Sequence, residues 1–173
     1  MLSIRNFFKA FLIRKLMKIQ LYSKDQELQA TVFMDRGKEQ EDRIKYRVIT
    51  PSSPEGYVNI TLKDLNWFLD REEPLAEVLK QRVYDDVIAE IADFFPHQVP
   101  ISGAVPKQFS RMGIGTSVLR TVLRDLAFND GIRHFYVHNP STAFYNLLLS
   151  QRFKELSVPD DLLSEHLYRR ITQ

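Results

Sequence analysis

Cysteine is absent from the chain, which excludes disulfides, thiolate metal centres and a cysteine nucleophile, and fits a reducing compartment such as the cytoplasm. Long apolar runs are absent as well. Charged residues make up 27% of the chain and interrupt every hydrophobic stretch well short of the roughly 20 residues a bilayer span requires. No small-residue cleavage site of a secretory signal is found. There is no Gly-x-Ser-x-Gly elbow, no Ser-His-Asp order and no phosphate-loop lysine, so hydrolase and nucleoside-triphosphatase readings have no support. No internal repeat is present. The net charge is only +2 with no broad basic surface, so a nucleic-acid partner is not expected. What remains, 173 residues with 44% hydrophobic side chains, suits a single folded domain able to bury a core without staples.

The charge is unevenly spread. Arg5, Lys9, Arg14, Lys15, Lys18 and Lys24 precede the first acid, whereas carboxylates outnumber bases between Lys63 and Asp93. Ile4, Phe7, Phe8, Phe11 and Leu12 recur at helical spacing among the first basic residues, which predicts a basic amphipathic helix over residues 1–17. Such a helix could target an organelle, dock on a membrane surface or partner, or pack on this domain or a second copy. Packing on protein is the reading adopted, with a homodimer or docked partner as its consequence.

Alternation predicts antiparallel strands over Lys18–Lys24, Leu28–Arg36 and Arg43–Thr50, with a charged loop from Arg36 to Asp42 reversed at Gly37, and a fourth short strand over Tyr57–Ile60. Thr61–Asp64 resembles a capping box opening a helix through Leu65, Phe68 and Leu69. Leu75, Leu79, Val83, Val87 and Ile91 recur every four residues after Pro74 and before Pro96, which predicts one long core-facing helix capped near Asp93 and His97. From Val99 the pattern reads strand (to Val105), loop, helix (Gly113–Phe128), strand (Ile132–His138), helix (Ser141–Arg152) and strand (Glu165–Ile171). The expected class is an α/β or α+β fold with a mixed, mostly antiparallel sheet flanked by helices.

Chemistry points first to Ser110-Arg111-Met112-Gly113-Ile114-Gly115-Thr116, between a predicted strand and an amphipathic helix. Glycines at 113 and 115 let backbone approach an anion, and the free amides of a first helical turn point at it with the positive end of the helix dipole. Arg111 adds a charge. A glycine pair also eases a tight turn with no ligand involved, and on these residues alone both readings stand. Downstream, Val118, Leu119, Val122, Leu123 and Leu126 form one helix face, and Gly131 stops it before the next strand.

Ser110 to Asn139 resembles motif A of the GNAT (GCN5-related N-acetyltransferase) superfamily, and Asn139 to Phe153 resembles its motif B; the resemblance covers about the last seventy-five residues. It implies a GNAT-like fold in which two strands splay, here Val99–Val105 and Ile132–His138, with acetyl-CoA as co-substrate in the gap and its pyrophosphate on the loop. Cofactor contacts implied this way are Val105, whose amide would polarise the thioester carbonyl, and Arg111, Met112, Gly113, Ile114, Gly115, Thr116 and Asn139. The tyrosine that protonates the departing thiolate in many members falls at Tyr145 counted from Asn139, and on Leu148 counted back from Phe153. Ser110 stands where the family has Gln or Arg, and Arg152-Phe153 stands where motif B ends in Gly-Phe. The half before residue 99 departs from the family order, because helices come immediately before Val99, so that a variable acceptor side (18–98) precedes the acetyl-CoA half (99–173).

His134, Tyr136 and His138 fall on one strand face, with His138 beside the expected cleft, where a neutral imidazole could accept a proton from an attacking amine. A solvent-facing or core-satisfied histidine is the alternative. A metal site is not expected, since His134 and His138 lack a third ligand nearby in sequence. The expected activity is acetyl transfer from acetyl-CoA to the amine of a small molecule or protein, with His138 as base and Tyr145 as acid. A non-catalytic GNAT-like binding or regulatory module, docked through its N-terminal helix, is the competing expectation.

Overall fold

The computed structural model describes residues 15–22, 25–50, 55–83, 86–96, 113–159, 161 and 163–172. Among these it shows eight strands: β1 (Lys15–Tyr22), β2 (Leu28–Gln40), β3 (Arg43–Ile49), β4 (Gly56–Lys63), β5 (Ile88–Phe95), β6 (His134–His138), β7 (Lys154–Glu155) and β8 (His166–Arg170). Four helices accompany them: α1 (Leu65–Arg71), α2 (Glu73–Lys80), α3 (Ile114–Asp130) and α4 (Thr142–Ser150). The strands form one mixed sheet in the order β1-β2-β3-β4-β5-β6-β8-β7. The fold is α+β and GNAT-like, and most strand pairs are antiparallel. No helix is long and apolar enough to cross a membrane among the described residues.

Contacts divide the chain into two compact units. The first comprises residues 1–59 and 93–119 and is built on the β1-β2-β3 meander. Side chains on one face of the pleat are buried, as the alternation requires: Val32 and Met34 on β2, and Ile44, Tyr46 and Val48 on β3. The β2–β3 hairpin turns at Glu41-Asp42, between Gln40 and Arg43, with a bulge after Lys38. The predicted loop from Arg36 is thus mostly strand, and Gly37 pairs with Lys45 rather than making the reversal. Asp35, buried on β2, carries the Arg47 guanidinium. Gly56 lies so close to the β5 backbone that a Cβ there would stand 2.5 Å from the Phe95 carbonyl oxygen, so only glycine fits.

The second unit comprises residues 60–92 and 120–173. Its core joins Phe68, Leu75, Ala76 and Leu79 of the helix pair to Ile88, Tyr136 and Tyr168 of the strands. Asp64 alone caps α1, its carboxylate accepting from the Trp67 amide at 2.8 Å; Thr61, predicted to share that role, belongs to β4. The predicted long helix through Ile91 is corrected: α2 stops at Lys80, and Ile88–Phe95 is a strand. Leu75 and Leu79 are helical and buried, but Val87 is 42% exposed, so the four-residue period breaks there. The central strand β5 has Ile88, Ala89 and Ile91 buried together, and an apolar run covered on both faces has no clean period of two to set it apart from a helix. Asp93 therefore caps nothing; it accepts from the Asn59 side-chain amide at 2.9 Å.

The strand beside β6 is therefore β5, not Val99–Val105, whose residues lie outside the described ones. So do His97, Arg111, Met112 and residues 1–14 of the predicted N-terminal helix, while Lys15–Met17 already belong to β1.

Candidate active site

The β5–β6 ladder is short. Ile88↔His134, Ala89↔Phe135 and Glu90↔Tyr136 pair in parallel, and the pairing ends there, although Ile91 and Ala92 continue β5 and Val137 and His138 continue β6. Strands that part while both persist leave main-chain groups unclaimed by the sheet, which proteins fill with water, side chains or a ligand. Beside this fork Glu90 forms a part-buried ion pair with Lys63, whose ammonium also lies 3.5 Å from the centre of the Trp67 ring.

One face of β6 supplies His134, Tyr136 and His138, as the alternation predicts, and β8 runs antiparallel with Tyr136 opposite Tyr168 and His138 opposite His166. The His138 ring stacks on His166 at 4.9 Å and 12°. His166 is buried and fully used: Nε2 lies 2.7 Å from the Asp161 carboxylate, and Nδ1 is in contact with the Tyr136 hydroxyl. The roles follow from the partners. An ionised carboxylate only accepts, so Nε2 carries the hydrogen, and in that tautomer Nδ1 accepts from Tyr136. Hydrogen bonds from His166 and Ser164 hold the Asp161 carboxyl below the usual carboxylate range. Burial, reinforced by Glu72, Glu90 and Asp161, pushes the Tyr136 phenol well above its usual range, so Tyr136 stays a donor. Phe68 of α1 meets the Tyr136 ring edge-on at 5.7 Å. Tyr136 and Asp161 thus fix His166, and His166 provides the platform under the exposed ring of His138.

Asp161, His166 and His138 also bring three potential ligand atoms within 4.8 Å of one another, a grouping that no sequence-local spacing revealed. Tetrahedral zinc needs its ligand atoms about 3.4 Å apart, and here the Asp161–His166 hydrogen bond already engages two of the three groups. His134, by contrast, is 2% exposed, bonded to the Tyr168 hydroxyl at 2.7 Å and to Asp86 at 3.0 Å; it is a satisfied core histidine.

The other predicted residues are placed as follows. Gly113 is left-handed at φ 68° with no described residue within 4 Å of where a Cβ would stand, and its carbonyl accepts from the Ser117 amide at 2.9 Å. Its conformation starts α3 at Ile114, so Ile114, Gly115 and Thr116 occupy the first turn, where amides lack intrahelical acceptors. Ile114 is buried; Gly115 and Thr116 are half-exposed. Asn139, at φ 45°, donates its amide to the Glu165 carbonyl and accepts from the Glu165 amide through its side-chain oxygen at 2.7 Å, fastening the end of β6 to the start of β8. Tyr145, on α4, donates its hydroxyl to Glu155 on β7, and that bond raises its phenol above the ordinary range. Leu148 is fully buried and has no proton to give.

Sequence reading missed Asp161 and His166. The signal for His166 was present in the alternation of Glu165–Ile171, which puts His166 and Tyr168 on one face; pairing with the His134-Tyr136-His138 face was not inferable without the β6–β8 register.

No protein-family model matches the chain, and no curated protein matches it. Solved structures do. An insect arylalkylamine N-acetyltransferase 7 from the yellow fever mosquito Aedes aegypti superposes with a TM-score of 0.56 at 10% identity over 98% of this chain and 98% of its own. An N-acyl amino acid synthase, FeeM, from uncultured soil microbes gives a TM-score of 0.46 at 13% identity over 76% of this chain and 69% of its own. The first likeness spans the N-terminal strands as well as the last seventy-five residues, and it shows the fold.

Proposed function

We propose that this chain, folded like an N-acetyltransferase, is an acyl-CoA-dependent N-acyltransferase that moves an acetyl group from acetyl-CoA to an amine. The carrying observation is the fork in the sheet: a parallel ladder of three residue pairs that opens past Glu90 and Tyr136. Main-chain amides of β5 released by that opening would face the thioester carbonyl, where a hydrogen bond strengthens as negative charge develops on oxygen. The left-handed Gly113 and the first-turn amides of α3 are by themselves a backbone arrangement that suits a pyrophosphate; Arg111 and Met112, which are outside the described residues, and Asn139 keep the cofactor roles that the resemblance implies.

His138 takes the proton that the acceptor amine loses as its nitrogen bonds to the thioester carbon. Its exposed ring on the His166 platform is accessible to that amine directly or through one water. Cleavage of the carbon–sulfur bond releases a thiolate, and Tyr145, held protonated by its bond to Glu155, is the donor to it. Val105 lies outside the described residues, and the carbonyl-polarising amide is sought in this reading on β5, the strand that borders β6. Positioning both substrates in one cleft supplies much of the rate. The acceptor is a small molecule or protein amine.

Titration with acetyl-CoA, followed by the melting temperature, tests the binding half of this reading, since a ligand bound only by the native state raises it. No shift at millimolar acetyl-CoA would favour a non-catalytic module instead. In an enzyme that binds, Tyr145→Phe is expected to retain the shift and lose turnover; full turnover would remove the acid role.

A further inference from the structure

Beyond the fork, the second unit holds a cavity of about 430 Å³ at the C-terminal end of α4, and Arg120, Arg124, Arg152 and Arg169 all line it. Among the described residues no carboxylate lines it and none of the four is in an ion pair. Guanidinium groups unmatched by carboxylates repel one another, and burial together with Arg152 and Arg120 lowers the Arg169 pKa.

Two features bear on the cluster's geometry. Arg120 Nε donates at 2.8 Å to the side-chain oxygen of Gln151, itself buried at the α4 C-cap. Arg152, the next residue, is left-handed at φ 66°, a conformation that costs a non-glycine residue roughly 1–2 kcal/mol. The chain keeps an arginine where glycine would sit without strain. Leu123, Phe128 and Ile171 add an apolar wall.

We propose that this cavity is a binding site for a small phosphate-bearing molecule with an apolar or planar portion, separate from the loop that opens α3. Planar guanidinium forks match phosphate oxygens two at a time, four of them can neutralise more than one phosphate, and the volume is that of a small-ligand pocket. The site begins at the seventh residue of α3 and reaches Phe128, so it lies roughly 10 to 20 Å along the helix from Gly113.

Inorganic pyrophosphate is the probe, titrated calorimetrically into the full chain at low ionic strength. Saturable binding is expected that weakens as salt is raised, and the arginine substitutions distinguish this site from the Gly113 turn. Arg124→Glu and Arg152→Glu should each weaken it at least tenfold while leaving the acetyl-CoA melting shift unchanged. If either charge reversal fails to fold, Arg124→Gln and Arg152→Gln carry the same expectation at smaller effect. Absence of saturable binding at millimolar pyrophosphate overturns the proposal, as does binding indifferent to both substitutions. Loss of the acetyl-CoA shift in folded variants also overturns it, because the arginines would then belong to the coenzyme site. The pyrophosphate arm stands whether or not the chain transfers acyl groups.

Discussion

Tyr136→Phe isolates the buried link on which the His138 platform depends. The tyrosine is 1% exposed and its hydroxyl meets Nδ1 of His166, which is 3% exposed. Removing the hydroxyl leaves the ring packing against Phe68 and deletes one donor, so the cost is that of a buried acceptor left without a partner, about 1–3 kcal/mol. For a chain of this length each kcal/mol lowers the melting temperature by roughly 2–4 °C, and the expected drop is about 2–12 °C. Tyr145→Phe provides the internal comparison: its hydroxyl bond to Glu155 lies at the surface, and no resolvable drop is expected. Urea unfolding of both variants beside the parent chain, with unchanged slopes, converts midpoints to free energies. A Tyr136→Phe loss under 0.5 kcal/mol, or a Tyr145→Phe loss equal to it, would refute the reasoning that Tyr136 and His166 form a buried, mutually satisfied pair.

Asp64→Ala removes the α1 cap and should cost about 1 kcal/mol in the same unfolding assay, whereas Thr61→Ala, which is outside the helix, should leave the cap intact. Gly113→Ala meets no neighbour within 4 Å among the described residues, so the penalty expected from them is conformational, about 1 kcal/mol from the left-handed φ, and acetyl-CoA affinity should fall with it. Because Asp161 has a lowered folded pKa, its contribution to stability is complete above the unfolded value near 3.9 and disappears as pH falls through the lower folded one. Melting temperatures of the parent and Asp161→Asn should therefore differ at pH 6 and draw together as pH falls below the unfolded value; a gap that does not narrow with falling pH would show that the carboxylate charge is not what anchors His166.

The elements most legible in the sequence were those whose periodicity had a single solvent-facing side. The meander strands β1 to β3 and the helix α3 carry clean periods of two and of three to four residues, and each was located to within a few residues. Ile88–Phe95 was misread because burial on both faces erases alternation, while Leu75 and Leu79 of the preceding helix extended a false four-residue period into it. Among candidate site residues, the shared face of His134, Tyr136 and His138 was legible because it followed from a period of two. Asp161 and His166 were not, since they reach Tyr136 only through the antiparallel register of β6 and β8, which no local pattern encodes. The Arg120–Arg124–Arg152–Arg169 cluster is likewise assembled from three separate elements.

The most direct test of the central claim is amine-dependent release of coenzyme A thiol from acetyl-CoA by the purified chain, surveyed across arylalkylamines, amino acids and peptides. Acyl transfer predicts thiol release that saturates with at least one amine and is abolished by His138→Ala with acetyl-CoA binding retained. Thiol release no faster than spontaneous hydrolysis with every amine class, in a chain that binds acetyl-CoA, would contradict it.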